Sequence, residues 1–306
     1  MLTIADLRGN PKQRRKERGM RVVFQGAALL TIVVSLLILF VLVRGAITFL
    51  NEIDWDINPL SDTGWFPRRS RFDLRTIVVG SLVMGAVSML VAVPFGLGTA
   101  IYLSEYAPPK VRAVVKPVIE VLAGVPSVII GYFVLRVIAP DIVGRLFDPE
   151  NERNMLAAGL GIGILVIPIM ASVSEDALRS VPGSLREASY GIGARKVTTV
   201  VKVVLPAAVS GLVAASIIAV SRAIGETMVA TMAGGFDGSG PYSGLSPTES
   251  GLTMTAAMTN AVGGTDQSVG GAPFQVLFFV GLLLFLVTMM LNVIGARFVA
   301  RVRQQY

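Results

Sequence analysis

Among its 306 residues the chain has no cysteine and no histidine. That removes disulfides, haem attachment, cysteine- and serine-histidine triads, and the soft ligands that usually hold zinc. Charge is scarce as well, at 15% Asp, Glu, Lys and Arg, against roughly 25% in an ordinary soluble domain. No G-x-x-x-x-G-K-[ST] run occurs, so the backbone cradle for nucleotide phosphates is missing and ATP hydrolysis is not expected of this chain. What remains is apolar: 53% hydrophobic residues and a mean hydropathy of +0.69, which predict an all-α polytopic membrane protein. The net charge of +7 fits either nucleic acid or basic cytoplasmic loops, and the position of the charges decides between them.

Residues 1–21 form a basic arm carrying Arg8, Lys12, Arg14, Arg15, Lys16, Arg18 and Arg21. Val22 to Val43 holds no charge and is long enough to cross a hydrocarbon core, which needs about 20 helical residues. It is too long for a signal peptide, and Arg44-Gly45-Ala46-Ile47 offers no cleavage site. Residues 22–73 thus read as a first span and an external loop, with Trp55 and Trp65 as interfacial aromatics. Residues 74–300 read as a core with spans at about Thr76–Leu103, Val114–Ile138, Met155–Val173, Ala207–Met232 and Phe274–Val293. Pro94, Gly96 and Gly98 interrupt the second span, and Leu252 to Val262 reads as a short helix on or dipping into the outer face. Residues 301–306 form the other terminus.

Six spans place both termini and residues 180–206 on one side. That side collects 18 of the 27 Lys and Arg, and the other collects 7; Arg136 and Arg222 lie within spans. The positive-inside rule then makes the richer side cytoplasmic, and topology rather than nucleic acid accounts for the basic pI. The spans make membrane lipid a partner of the chain.

Ser180 to Pro206, SVPGSLREASYGIGARKVTTVVKVVLP, is a polar, basic island between two apolar spans. Ser184-x-x-Glu187 has the form of a capping box, which predicts a helix starting at Ser184. Leu185, Ala188 and Ile192 fall on one apolar stripe. Gly191 and Gly193 weaken the helix and permit a change of direction, and Pro206 marks the next span. Such a helix either docks in a groove of another protein or lies on the headgroups as a connector.

Ionisable residues within spans cost a few kcal/mol or more each and are candidate functional residues. Arg222 and Glu226 are four apart on one helical face, with Arg222 about 24 Å along the axis from Pro206. A guanidinium fork suits a tetrahedral oxyanion, and a carboxylate beside it accepts the O–H of a protonated phosphate while repelling sulfate. The same pair can equally be a structural ion pair. Lys116 and Glu120 read as an i, i+4 pair that leaves Glu120 as a secondary candidate, and Arg136 reads as snorkelling to the interface. Ser127 follows Pro126 in mid-span, where a break exposes a hydroxyl to a passage or merely kinks the helix.

The island also carries Glu187-Ala188-Ser189, Gly193, Val203 and Leu205-Pro206 at fixed offsets. This resembles the EAA loop of ABC-transporter permease subunits, which a separate ATPase grips. Arg222-Ala223-Ile224-Gly225-Glu226-Thr227-Met228, Lys116 to Ser127 and Ser174 to Pro182 resemble permeases of bacterial phosphate-uptake ABC transporters, PstC-like more than PstA-like. The resemblance implies a MetI-like fold, import of inorganic phosphate and no cofactor bound by this chain. It further implies a PstA-like second permease, two ATPase subunits using ATP and Mg, and an extracytoplasmic phosphate-binding protein. It makes Glu187, Ala188, Ser189, Gly193, Leu205 and Pro206 coupling residues. Two alternatives stand beside it: a permease for another oxyanion such as sulfate, molybdate or phosphonate, and a membrane sensor or scaffold relaying phosphate status.

Overall fold

The structure is a computed structural model that describes residues 11–56, 60, 64–235, 246–263 and 271–302. Residues 1–10 of the basic arm, residues 236–245 and 264–270 between the fifth and sixth spans, and residues 303–306 lie outside the described residues. Six helices are long and apolar enough to cross a membrane, as expected. In chain order they are α1 (Pro11–Glu52), α2 (Leu74–Tyr106), α4 (Ser127–Phe147), α5 (Met155–Arg179), α7 (Lys196–Ile224) and α10 (Ala272–Val302). Shorter helices intervene: α3 (Pro109–Ala123), α6 (Gly183–Gly191), α8 (Met228–Ala233) and α9 (Met254–Gly263).

The third span begins at Ser127 and not at Val114. Gly124 ends α3, and Pro126 takes an extended conformation ahead of α4, because a proline has no N–H to continue a helix and disfavours helical backbone before it. Lys116 and Glu120 therefore sit on a separate amphipathic helix and not inside a span. The span extends to Phe147, so the polar connection after it is shorter than expected. Pro94 does not stop α2, which runs through it.

Three wide, π-type turns sit beside prolines: Tyr102–Tyr106 ahead of Pro108, Val134–Gly144 around Pro140, and Val200–Val204 ahead of Pro206. An added residue in the turn makes room for the ring and bypasses the missing donor. That is how α7 stays continuous from the island into the membrane despite Pro206.

At the centre, α2 and α5 cross with little between their backbones. A Cβ at Gly163 would lie 2.9 Å from Ser88 O, and one at Gly159 would lie 2.6 Å from Val87 Cβ. Small residues spaced by four permit this approach where lipid supplies no hydrophobic drive. Met84, Val134, Ile162, Val166, Met170, Ala219 and Val229 pack around the crossing.

A second core closes the end opposite the island. Phe49 of α1 meets Phe72 edge-on at 5.1 Å, with Leu252, Met254, Val276 and Val280 around them. A two-residue hairpin, β1 (Trp65–Phe66) with β2 (Arg71–Phe72), buries Trp65 in this core, whereas Trp55 is exposed. Only Trp55 suits the interfacial role expected of both. Asp73 caps α2, its Oδ1 accepting from the Arg75 N–H at 3.0 Å, and its Oδ2 accepts from the Thr76 hydroxyl at 2.6 Å. Helix α9 dips inward: Met254, Ala256 and Ala257 are buried, and the Met254 N–H donates to Ser81 Oγ at 2.9 Å.

Candidate functional site: a clamped surface helix and a buried ion pair

Two sites emerge, at opposite ends of α7. The first is α6. Its N-cap is Pro182, without any side-chain capping bond, so the Ser184–Glu187 box does not form. The proline already turns the chain into the helix, which starts one residue earlier at Gly183. The expected stripe is also divided. Leu185 is half-buried against Ala100, Leu178, Val181, Val204 and Ala208, while Ala188 and Ile192 are exposed. Ile192 is 87% exposed, an apolar side chain of that size with nothing among the described residues to cover it. Ser184, Glu187, Ala188 and Gly191 make the outward face, at the i, i+3, i+4, i+7 spacing of one helical side.

Gly193 ends this helix with φ +82°. The Gly193 N–H donates to Tyr190 O at 2.9 Å and the Ala194 N–H to Ser189 O at 3.1 Å, the paired bonds of a Schellman turn. Glycine is required there by backbone conformation. Ser189 faces inward and its hydroxyl meets that of Thr199 at 2.9 Å, fastening α6 to the start of α7. Leu205 is half-buried and Pro206 exposed, both just past the wide turn.

Charges that bracket the spans hold the island end together. Glu175 is fully buried; it pairs with Arg112 at 2.6 Å and with Lys116 at 3.1 Å. Lys116 also reaches Asp176 at 3.1 Å. This replaces the expected Lys116–Glu120 pair, because the face of α3 carrying Arg112 and Lys116 lies against α5. Partial burial alone would lower the Lys116 pKa, but the carboxylates of Asp176 and Glu175 outweigh it and raise the pKa above 10.5. Glu120 is exposed and borders a shallow pocket with Arg112, Lys116 and Arg179.

The second site lies at the far end of α7. The helix breaks after Ile224 and resumes as α8 at Met228, with Gly225, Glu226 and Thr227 between. Glu226 is buried, and its Oε2 accepts from Arg222 Nη1 at 2.6 Å. Its Oε1 accepts from the Met228 N–H at 3.2 Å and lies 3.5 Å from the Val229 nitrogen. One carboxylate therefore anchors the arginine and caps α8. The Glu226 carbonyl takes the Thr255 hydroxyl at 2.9 Å, tying the break to α9. The Arg222 side chain is 42% exposed, and among the described residues Glu226 is its sole partner. The fork is thus held at one nitrogen and open at the others.

Ser127 is half-buried at the first position of α4, just beyond the break at Pro126. One turn on, Gly131 lies against Met232 and Val229, so α4 adjoins α8. Arg136 lies over the Tyr132 ring at 5.6 Å. Sequence reasoning missed Glu175, Arg186, Glu105 and Thr255. Arg112 and Lys116 at i, i+4 facing a Glu175-Asp176 pair at a span end was a readable signal for the first.

A six-span helical core with an exposed helix between its fourth and fifth spans is the architecture of a membrane permease. Residues 92–304 match the family described as binding-protein-dependent transport system inner membrane component, and the chain belongs to that family of ABC transporter permeases. It is 32% identical to the probable ABC transporter permease protein YqgH of Bacillus subtilis, over 90% of this chain and 88% of that one. It is 31% identical to the phosphate transport system permease protein PstC of Haemophilus influenzae, over 80% and 81%. With PstC 1 of Mycobacterium tuberculosis it shares 32% over 74% and 72%. Solved structures share the fold. An inward-facing methionine transporter, MetNI, matches with TM-score 0.55, 21% identity and 74% and 92% coverage. A bacterial alginate importer matches with TM-score 0.58, 13% identity and 95% and 100% coverage. The MetI-like fold and the inner-membrane class of the protein follow.

Proposed function

We propose that the chain is one permease subunit of an ATP-driven importer of inorganic phosphate. Arg222 with Glu226 contacts or gates the anion, and α6 receives the work of a cytoplasmic ATPase. The observation that carries the substrate is the open guanidinium at the break between α7 and α8, held by a carboxylate that is 2% exposed. Glu226 keeps Arg222 charged and oriented, and the remaining donors of the fork suit two oxygens of a tetrahedral oxyanion. Each carboxylate oxygen has two lone pairs, so Oε2 can accept the proton of hydrogen phosphate beside its bond to Arg222. Relatives named as phosphate transport permeases support the same substrate.

For coupling, the support is the outward face of α6 with Ile192 at its tip, apolar and uncovered beside the basic Arg195 and Lys196. Under this reading the partners are a PstA-like permease, two ATPase subunits that use ATP and Mg, and an extracytoplasmic phosphate-binding protein. Both termini and the island are cytoplasmic, where the positive charge accumulates.

The test is reconstitution of the chain with those partners in vesicles and measurement of ATP-dependent entry of labelled phosphate. Phosphate entry that excess sulfate and molybdate leave unchanged is expected. Entry of sulfate or molybdate instead would reassign the substrate. ATP turnover without phosphate movement would favour a sensor, and entry without any ATPase would overturn the coupling. Glu226→Gln keeps the cap of α8 yet removes the charge. Normal phosphate uptake by that variant would sink the role given to the pair.

A further inference from the structure

The inward face of α6 carries one side chain with no part in the surface just described. Arg186 is largely buried, and its guanidinium reaches three separate places. Nη2 donates to Glu105 Oε1 at 2.7 Å and to Leu178 O at 2.8 Å, Nη1 donates to Val181 O at 2.7 Å, and Nε lies 3.4 Å from Glu105 Oε2. Glu105 is 6% exposed and stands in the wide turn that ends α2. Leu178 belongs to the last turn of α5, where carbonyls lack helical partners and favour a cation. One planar fork therefore joins α6 to the ends of α2 and α5, the two helices that cross at the centre of the bundle.

The other attachments of α6 resist force poorly. It is nine residues long, enters from Pro182, leaves through the Schellman turn at Gly193, and packs through Leu185, an apolar contact that slides easily. The Ser189–Thr199 bond leads only to α7. A pull on the outward face would swing the helix about Pro182 and Gly193 and leave α2 and α5 in place, unless something directional ties them. A charge-assisted fork with three acceptors is directional, and its low exposure keeps solvent from screening it.

We propose that Arg186 and Glu105 form the tie that carries displacement of α6 into the α2–α5 pair, so that Arg186 is a positioning residue for transport and not part of the ATPase-binding surface. The tie rests on the reading of α6 as the ATPase-docking helix. Arg186 cannot serve both roles, because its head is consumed on the inner side of the helix while Ser184, Glu187, Ala188 and Gly191 face out. Glu105 is the counterpart whose charge lets the arginine stay buried. Ser104 Oγ also donates to its Oε1 at 3.0 Å, so the carboxylate remains anchored to α2.

The experiment uses the complete reconstituted complex and reads phosphate moved per ATP hydrolysed, together with the amount of ATPase that co-purifies with the permease. Glu105→Gln is the first variant: it keeps the shape and the carbonyl bonds of Arg186 but removes the ion pair. Arg186→Gln and Arg186→Lys follow, the lysine preserving charge without the fork. The expected result is a fall of about five- to tenfold in phosphate per ATP for Glu105→Gln and Arg186→Gln, within the range of typical coupling energies. A smaller fall is expected for Arg186→Lys, with ATPase co-purification unchanged throughout. An unchanged ratio in Glu105→Gln and Arg186→Gln overturns the proposal. Loss of the ATPase from the complex also overturns it, because Arg186 would then belong to the docking surface. Failure of both glutamine variants to accumulate in the membrane overturns it too, since the fork would be holding the fold. If the wild-type complex moves no phosphate on ATP, it is the reading of the function that fails, and the tie falls with it.

Discussion

Two glycines two residues apart in the island are expected to respond to alanine with opposite signs. Gly191 is the last residue of α6, and a Cβ added there meets nothing within 4 Å. Alanine in place of a helical glycine is worth roughly 0.5–1 kcal/mol in favour of the helix. Gly193 has equally open surroundings, so sterics against neighbours contribute nothing there. Its φ of +82° is what matters. Holding an L-residue in left-handed backbone costs roughly 1–2 kcal/mol, offset by about 0.4–1 kcal/mol from the restricted unfolded chain. The net is about 1 kcal/mol against the Schellman turn, or about a fivefold rise in local opening. Hydrogen exchange of the amides of residues 187–194 reads this directly. Gly193→Ala should speed exchange about fivefold, Gly191→Ala should slow it, and Gly193→Asn should stay close to wild type, since asparagine tolerates left-handed backbone. If Gly193→Ala slows exchange as Gly191→Ala does, the turn is not what closes the helix and the reasoning is wrong.

Glu226→Ala removes both the ion pair and the acceptor for the Met228 N–H, so it should lower stability by at least the ~1 kcal/mol of a lost cap, whereas Glu226→Gln should lose less; thermal unfolding in detergent distinguishes them. Glu175→Gln leaves Arg112 and Lys116 without their buried partner. A loss of about 1–3 kcal/mol is expected by the same assay, below the cost of breaking a fully buried pair because both cations are a quarter exposed. Asp176→Asn, at 68% exposure, should change stability by less than about 0.5 kcal/mol. The Lys116 pairing follows pH with a definite sign: a lysine pKa raised above 10.5 stabilises fully below that value and is lost as pH climbs through the raised pKa. Melting profiles should therefore show a constant contribution from it between pH 6 and 9, with no pH dependence in that window, checked by comparing wild type with Lys116→Met. Gly80→Ala would drive its Cβ into the Leu252 carbonyl, and a loss of roughly 1–3 kcal/mol is expected from such overpacking, with α9 released first in limited proteolysis.

Hydropathy alone located the six spans, because a bilayer demands long uncharged helices and leaves little else to infer. It carried the fifth past the break at Gly225 to Met232, where the span runs Lys196–Ile224, and it misplaced the third, where Val114 to Ile138 is apolar enough to look continuous. The decision lay with Gly124 and Pro126, and composition averaged over a window does not weigh two residues heavily. The island's outline was readable from Gly193, whose role is a backbone requirement and so is written in one residue. Its capping was not: Ser184 and Glu187 have the right spacing, but Pro182 had already turned the chain. The Arg222–Glu226 pair was readable because four residues on a helix bring two side chains together. That Glu226 also caps α8 depended on knowing that the helix breaks at Gly225. The bonds from Arg186 to Glu105, 81 residues earlier, and from Thr255 to the Glu226 carbonyl are long-range. No local pattern specifies them.

The two sites share α7, and this bears on how they communicate. The helix runs unbroken from Lys196 to Ile224, about 43 Å at 1.5 Å per residue, with the Ser189–Thr199 bond near one end and Arg222 near the other. The wide turn at Val200–Val204 keeps it continuous where Pro206 would otherwise part it. Under the proposed function, work entering at α6 has two exits: Ser189 and Thr199 lead along α7 to Arg222, and Arg186 leads to α2 and α5. The far end of α7 is not free to follow, since Glu226 is bonded to α8 through its carboxylate and to α9 through its carbonyl. Motion of α7 relative to α2 and α5 would therefore concentrate at Gly225 to Thr227, where the regular helical bonding is interrupted, and would alter the exposure of the Arg222 fork. A rigid tie at Arg186 makes that relative motion smaller for a given swing of α6. Weakening the tie should then uncouple transport by letting α6 and α7 move alone, while the ion pair at the break stays intact.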